Sequence, residues 1–391
     1  MPATAYAHRF AQLPPYIFVE LDRLRAEAVS RGEDIINLGI GDPDQPTPRP
    51  VVEAMIEAAQ NPAYHHYPSN SGLPAFRQAA ADYYARIHGV TLDPDSEVAT
   101  LIGSKDGIAH MPLAYADPGD VVLVPEPGYP VYRSSALFAG AEPYTMPLRR
   151  ENGFLPDLDA IPDAVYARTK IMYLNYPNNP TAAFATREFF DAVIERADKH
   201  GFIVVHDAAY IDVCFGGEAA LSFLSVPGGR EVGIEMCSLS KTFNMTGWRI
   251  GFVAGRSDLV RGLSGFKANM DSGVFNAVQA AGAVALNQYE TLVPPINRTY
   301  LERVEALTAG MQELGWTDFV PPRGTFYAWL QTRGGMSSMQ MTKLLLERAG
   351  VVVVPGLAFG AQGEGYFRMA MTTTAARISE ACQRIKKANL E

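Results

Sequence analysis

Five short apolar runs constrain this chain more than any other feature. They fall near residues 121 to 124, 170 to 174, 202 to 206, 234 to 238 and 249 to 253, each four to six residues long and without clean alternation of apolar and polar positions. A strand with one wet face alternates, whereas a strand buried on both faces does not. Helical patterns stand between the runs. In "TREFFDAVIERADK", residues 186 to 199, Thr186 is placed to cap and Glu188 sits in the first turn, where the helix dipole favours an acid. Strands alternating with helices of this length predict an α/β architecture with a mostly parallel sheet covered by helices.

With 391 residues the chain exceeds what one core usually organises, which is about 250 to 300 residues. Residues 1–50 read as a Pro-rich N-terminal arm too extended to fold alone, residues 51–285 as a large domain, and residues 286–391 as a smaller α+β domain that the arm completes. The last region carries a long helix, "INRTYLERVEALTAGMQELG", and the strand-like runs "TFYAWL", "GVVVVP" and "YFRMAM". Hydrophobic residues are 48% of the chain, charged residues 19% and the net charge is −9, with no block of Lys and Arg. That balance gives little support to a nucleic-acid or membrane partner and favours a small molecule. The three cysteines form no close pair, no basic leader precedes an apolar segment and no 18-residue apolar stretch occurs, so a cytoplasmic protein is the reading.

The chemistry concentrates where strands end. In "SLSKTFNMTGWRIGF" Lys241 stands among Ser238, Ser240 and Arg249. An ordinary lysine is a solvated one, but a desolvated amine is a nucleophile toward an aldehyde, and hydroxyls with an arginine can hold a phosphate nearby. A phosphorylated aldehyde cofactor meets both needs. In "GFIVVHDAAYID" Asp207 ends an apolar run, a place that faces the ligand crevice of a parallel sheet. It can cap the next helix, or it can keep a pyridine nitrogen protonated so that the ring withdraws electrons, with Tyr210 reaching the phenolic oxygen. Asn178 and Asn179 of "NYPNNPT" make a turn whatever the function, and Asn179 could reach the same oxygen. Gly103, Ser104 and Lys105 of "GSKDG" open a helix whose free N–H groups suit a phosphate. Tyr129 of "PEPGYPVY" is held in a rigid turn and can lie against a planar ring or pack in the core. The seven histidines show no metal-ligand spacing, and no metal site is read. His206 stays open between orienting Asp207 and ordinary burial.

Together these segments, in this order over nearly the whole chain, resemble the class I/II pyridoxal-phosphate-dependent aminotransferases of fold type I. The resemblance implies pyridoxal 5'-phosphate as cofactor, linked to Lys241, with Asp207 on the ring nitrogen, Tyr210 and Asn179 on the phenolic oxygen and Tyr129 against the ring. Ser104, Lys105, Ser238 and Arg249 would hold the phosphate at the Gly103 turn. Arg368 of "YFRMAM" would take the substrate α-carboxylate, and Lys241, once released, would move the Cα proton. Tyr67 of "HHYPSNSGLPAFR" matches a tyrosine lent by the neighbouring subunit, which implies a homodimer with shared active sites. Tyr16 and Gly41 belong to segments that could read the distal end of the substrate. Within the family, "GSKDGIAH", "KTFNMTGWRIGF" and "NMDSGVFNAVQ" look most like the LL-diaminopimelate aminotransferases, which implies LL-diaminopimelate as amino donor, 2-oxoglutarate as acceptor and a place in lysine biosynthesis. An aspartate, alanine or other aminotransferase, or a lyase with the same cofactor, is the alternative. One departure stands out: the family usually has Gly where this chain has Ala182, a change that matters if the backbone there is left-handed.

Overall fold

The structure, a computed structural model, describes residues 6–13 and 17–389. After a two-residue strand, β1 (Ile36–Asn37), seven strands form one sheet: β2 (Val98–Leu101), β3 (Val121–Glu126), β4 (Glu142–Pro147), β5 (Thr169–Leu174), β6 (Ile203–Asp207), β7 (Gly233–Ser238) and β8 (Gly251–Gly255). Their order is β2-β8-β7-β6-β5-β3-β4. β8 runs antiparallel to β2 and β7, while the other neighbours are parallel.

Two apolar layers explain the missing alternation. Val122, Val124, Ile171, Tyr173, Ile203 and Val205 point to one face, with the helices Ser104–Tyr115, Val131–Ala139 and Ser257–Lys267. Val121, Leu123, Met172, Leu174 and Val204 point to the other, with the helices Pro74–Tyr83, Arg187–His200 and Asn276–Asn287. Thr186 caps the middle one, its hydroxyl accepting from Phe189 N at 3.2 Å. The edge strand β4, "EPYTMP", has no counterpart among the predicted runs. Among the described residues it pairs only with β3, and an edge tolerates Pro143 and Pro147 because their missing N–H groups break no interior ladder.

A second core lies beside the first. It holds β9 (Tyr327–Gln331), β10 (Val351–Val352), β11 (Val354–Pro355) and β12 (Tyr366–Ala370), with β11-β12-β9 antiparallel. β1 pairs parallel with β10, and Ile36 and Leu38 are buried there. The helix Tyr289–Glu313 serves both cores: Leu292 and Val293 pack in the first, Tyr300, Val304, Leu307 and Met311 in the second. Pro294 and Pro295 lie inside it at the passage. Among the described residues no helix is long and apolar enough to cross a membrane.

Candidate active site

The carboxyl ends of β5, β6 and β7 open into a cavity of about 370 Å³ that the segment Ile40–Asp42 and Arg368 close from the side of the second core. Crevices at such strand ends are where open α/β sheets bind ligands. Each strand delivers one group. β6 ends on Asp207, β7 passes through Ser238 into the short helix that carries Lys241, and Asn175 follows β5.

Lys241 sits on the helix Leu239–Thr242, whose first turn is closed by the Ser238 hydroxyl accepting from Ser240 N at 3.2 Å. Its Nζ donates to Gly41 O at 3.0 Å and stands 5.8 Å from the Phe326 ring centroid. Burial lowers the amine to about 8; Asp42 opposes the shift, and Arg249 and Arg368 reinforce it. Asp207 is buried, accepting from the Tyr132 hydroxyl at 2.7 Å and from Ala209 N at 3.3 Å. Burial pushes its carboxyl up to about 6, against the Tyr132 hydrogen bond and the His206 charge.

His206 does not orient Asp207. Successive strand residues point to opposite faces, so the imidazole turns into the other layer, where Nδ1 lies 2.7 Å from Glu235 Oε1 and Nε2 lies 3.0 Å from Tyr176 O. Glu235 also accepts from the hydroxyls of Tyr84 and Ser222 and from Phe223 N, so the pair is a satisfied structural one.

Two asparagines that look alike in sequence divide the work. Asn178 builds the turn, its Oδ1 accepting from Thr181 N at 3.1 Å and Thr181 Oγ1 at 2.8 Å. Asn179 faces the cavity and accepts from Arg368 Nη1 at 2.9 Å. Arg368 is buried, donates from Nη2 to Gly39 O at 2.9 Å and lies over the rings of Tyr327 and Phe359, at 4.1 and 4.9 Å. Ala182, in the same turn as Asn178, has φ 59°, the left-handed conformation.

At the other end, Gly103 (φ 74°) precedes the helix Ser104–Tyr115, and a Cβ on it would stand 2.3 Å from Arg249 Nη2. Only glycine therefore lets the arginine lie against this turn. Arg249, itself left-handed at φ 52°, donates to Thr246 O at 3.0 Å and Ile102 O at 3.4 Å. Ser104, Lys105, Ser238, Ser240 and Tyr129 line the same end, with Lys105 Nζ 5.8 Å from the Tyr129 ring centroid.

Of the residues singled out in sequence, Tyr67 does not line this cavity and is 86% exposed, and Tyr16 lies outside the described residues. The cavity also holds Asn175, Tyr327 and Phe359, which the sequence reading passed over, and Asp42 of the expected Gly41 segment, while Tyr132 touches Asp207 from behind. Asn175 was findable, since it directly follows an apolar run; its Nδ2 donates to Asp207 O at 2.7 Å and its Oδ1 accepts from Asn179 N at 2.8 Å.

A buried acid, a half-buried low-pKa amine and an arginine cradle at a helix start define the class, and the chain belongs to the aminotransferases of class I and II, whose family model matches residues 33–385. The LL-diaminopimelate aminotransferase of Syntrophobacter fumaroxidans is 53% identical over 97% of this chain and 98% of its own. That of Aquifex aeolicus is 49% identical over 98% and 99%. Among solved structures, substrate-bound BacF from Bacillus subtilis matches with a TM-score of 0.94 at 37% identity, covering 99% of this chain and 98% of that one. The architecture is that of the fold-type I transferases, and the protein is an aminotransferase.

Proposed function

We propose that this enzyme moves an amino group from LL-diaminopimelate to 2-oxoglutarate, with pyridoxal 5'-phosphate bound at Lys241, as a step toward lysine. The observation that carries the substrate is the identity of about half over nearly full length with relatives named for that donor. When bound, the cofactor supplies an aldehyde carbon and an electron-withdrawing ring.

The residues fit that group. The Gly103–Ser104 turn with Ser238, Ser240 and Arg249 offers N–H, hydroxyl and guanidinium donors for a phosphate, in a cradle that a Cβ on Gly103 would fill. A buried carboxyl raised to about 6 gains most from a cationic neighbour, which a bound ring nitrogen beside Asp207 would provide. Tyr132 keeps that carboxylate aligned. Asn179 and Tyr210 would reach the ring oxygen, and Tyr129 would lie against the ring.

Lys241, neutral above about pH 8, has the basicity to take a proton from the substrate Cα and return it on the other side of the transfer. Arg368 now donates to two neutral acceptors, Asn179 Oδ1 and Gly39 O. A substrate α-carboxylate offers a stronger, bidentate partner, with Gly41 and Ile40 of the arm at the rim. We read residues 51–285 as the cofactor-holding part, and residues 286–391 with the 1–50 arm as the part that brings Arg368. Tyr67 serves the partner's site in a homodimer, a reading supported by its exposure and that of Val52, Ile56 and Phe275.

Purified holoenzyme tested with LL-diaminopimelate, aspartate and alanine, each with 2-oxoglutarate, checks the substrate. The expected kcat/KM favours LL-diaminopimelate by about 100-fold or more. Equal or better use of aspartate or alanine overturns that assignment while leaving the aminotransferase in place.

A further inference from the structure

Tyr327 touches two groups of the cavity, Tyr210 and Arg368. Its hydroxyl is 2.9 Å from the Tyr210 hydroxyl, and its ring carries the Arg368 guanidinium 4.1 Å from the centroid. It has little freedom to do otherwise. The side chain is buried, the Tyr210 ring meets it nearly edge-on at 5.5 Å, and a Cβ on Gly41 would come within 2.1 Å of its hydroxyl oxygen. The arm thus seats a glycine where Tyr327 needs room.

We propose that Tyr327 is a positioning residue that couples two groups of the site, its hydroxyl setting the Tyr210 hydroxyl and its ring setting the Arg368 guanidinium. The inference rests on the roles given above to Tyr210 and Arg368. Tyr210 has one proton to give. When Tyr327 donates to the Tyr210 oxygen, that proton is left for an acceptor in the cavity. Burial holds the Tyr210 hydroxyl well above the ordinary phenol range, Tyr327 and Asp207 add to that and Arg368 opposes it, while Lys241 and Asp42 share the cavity wall. The face of the Tyr327 ring, in turn, attracts a cation and holds the guanidinium plane in place for a carboxylate.

Two variants separate the two functions. Y327F keeps the ring and loses the hydroxyl, whereas Y327L loses both. Each is read with pyridoxal phosphate bound, by the pH midpoint of the visible absorbance without substrate and by the Kd of glutarate, a dicarboxylate that cannot react. A donor to the ring oxygen favours the deprotonated, more negative chromophore, so Y327F is expected to raise the midpoint by about half a pH unit. Its glutarate Kd should stay within twofold. Y327L should raise the midpoint as well and weaken glutarate about five- to tenfold.

A Y327F midpoint equal to wild type, or a Y327L that binds glutarate like wild type, overturns the inference. So does a pair of variants that merely melt earlier with both readouts unmoved. If the wild-type chain takes up no pyridoxal phosphate, the reading of the site falls and this inference with it. If the wild type is coloured and Y327F titrates identically, only the inference falls.

Discussion

Burial, with Arg249 and Arg368 on the same side of the balance and Asp42 against them, brings the Lys241 amine to about 8, where an exposed lysine would keep its proton well above that pH. The neutral, nucleophilic fraction therefore grows as pH rises toward 8 and saturates beyond it. Uptake of pyridoxal phosphate by the apoenzyme should quicken about tenfold per pH unit below that point and level off above it. A rate still climbing tenfold per unit at about pH 9.5 would contradict the lowered basicity. Ala182 carries backbone strain of its own. The turn closes in spite of its methyl group, with Ala182 N donating to Asn178 O at 2.8 Å and Asn178 N to Ala183 O at 2.9 Å, but with φ at 59°. Left-handed backbone costs an L-residue about 1–2 kcal/mol, so A182G should gain about 0.5–1 kcal/mol in urea unfolding with activity kept. Loss of stability would count against the strain. At this scale the sequence carried whatever depends on chain position. Lys241, Asp207 and Asn179 stand at or just beyond strand ends, and the parity of β6 sends His206 and Asp207 apart. Tyr327 and Tyr132 were not legible, because each matters through a partner more than 70 residues away in the chain, at separations of 117 and 75.

The N-terminal arm is the element on which the site most depends. Gly41 O meets Lys241, Gly39 O meets Arg368, and Thr372 donates to Ile40 O at 2.6 Å. Its anchor is Asp44, paired with both terminal nitrogens of buried Arg303 at 2.7 and 2.8 Å, while Arg303 also donates to Met371 O. Burial works against the Asp44 carboxylate, yet the Arg303 hydrogen bonds hold it below the usual range. That stabilisation is present above about pH 4 and fades as the pH falls through the lowered value. D44A leaves a buried guanidinium without its counter-charge and should cost about 2 kcal/mol, with faster proteolytic cleavage between residues 30 and 50. An unchanged unfolding curve and cleavage pattern would show that the arm is held by other contacts. The arm read from its prolines as extended, but its pairing with β10 is tertiary and leaves no local mark. The helix Tyr289–Glu313 was legible only from residue 296, because Pro294 and Pro295, which lie within it, interrupt the local helical pattern. β4 was hidden for the same reason, its prolines being acceptable only because it is an edge.

For the whole molecule, the two apolar layers of the sheet were readable from five unalternating runs, and the motif order carried the family. How two copies meet is not a property of one chain's pattern, although Tyr67, Val52, Ile56 and Phe275 are exposed on the surface of this one. If each site takes Tyr67 from the partner, a K241A chain and a Y67A chain are each weak alone, and their mixed dimers contain one intact site. Refolding them together in equal amounts should restore about a quarter of wild-type activity, half of the dimers being mixed with one working site in two. No gain on mixing would place Tyr67 in its own chain's chemistry or outside it. Every role proposed for the site depends on the bond between Lys241 and the cofactor. Borohydride reduction of the protein loaded with pyridoxal phosphate, followed by digestion and mass spectrometry, should add one reduced phosphopyridoxyl group to the peptide containing Lys241 and leave K241A unlabelled. Label on Lys105 or another lysine instead, or no label at all, would contradict it.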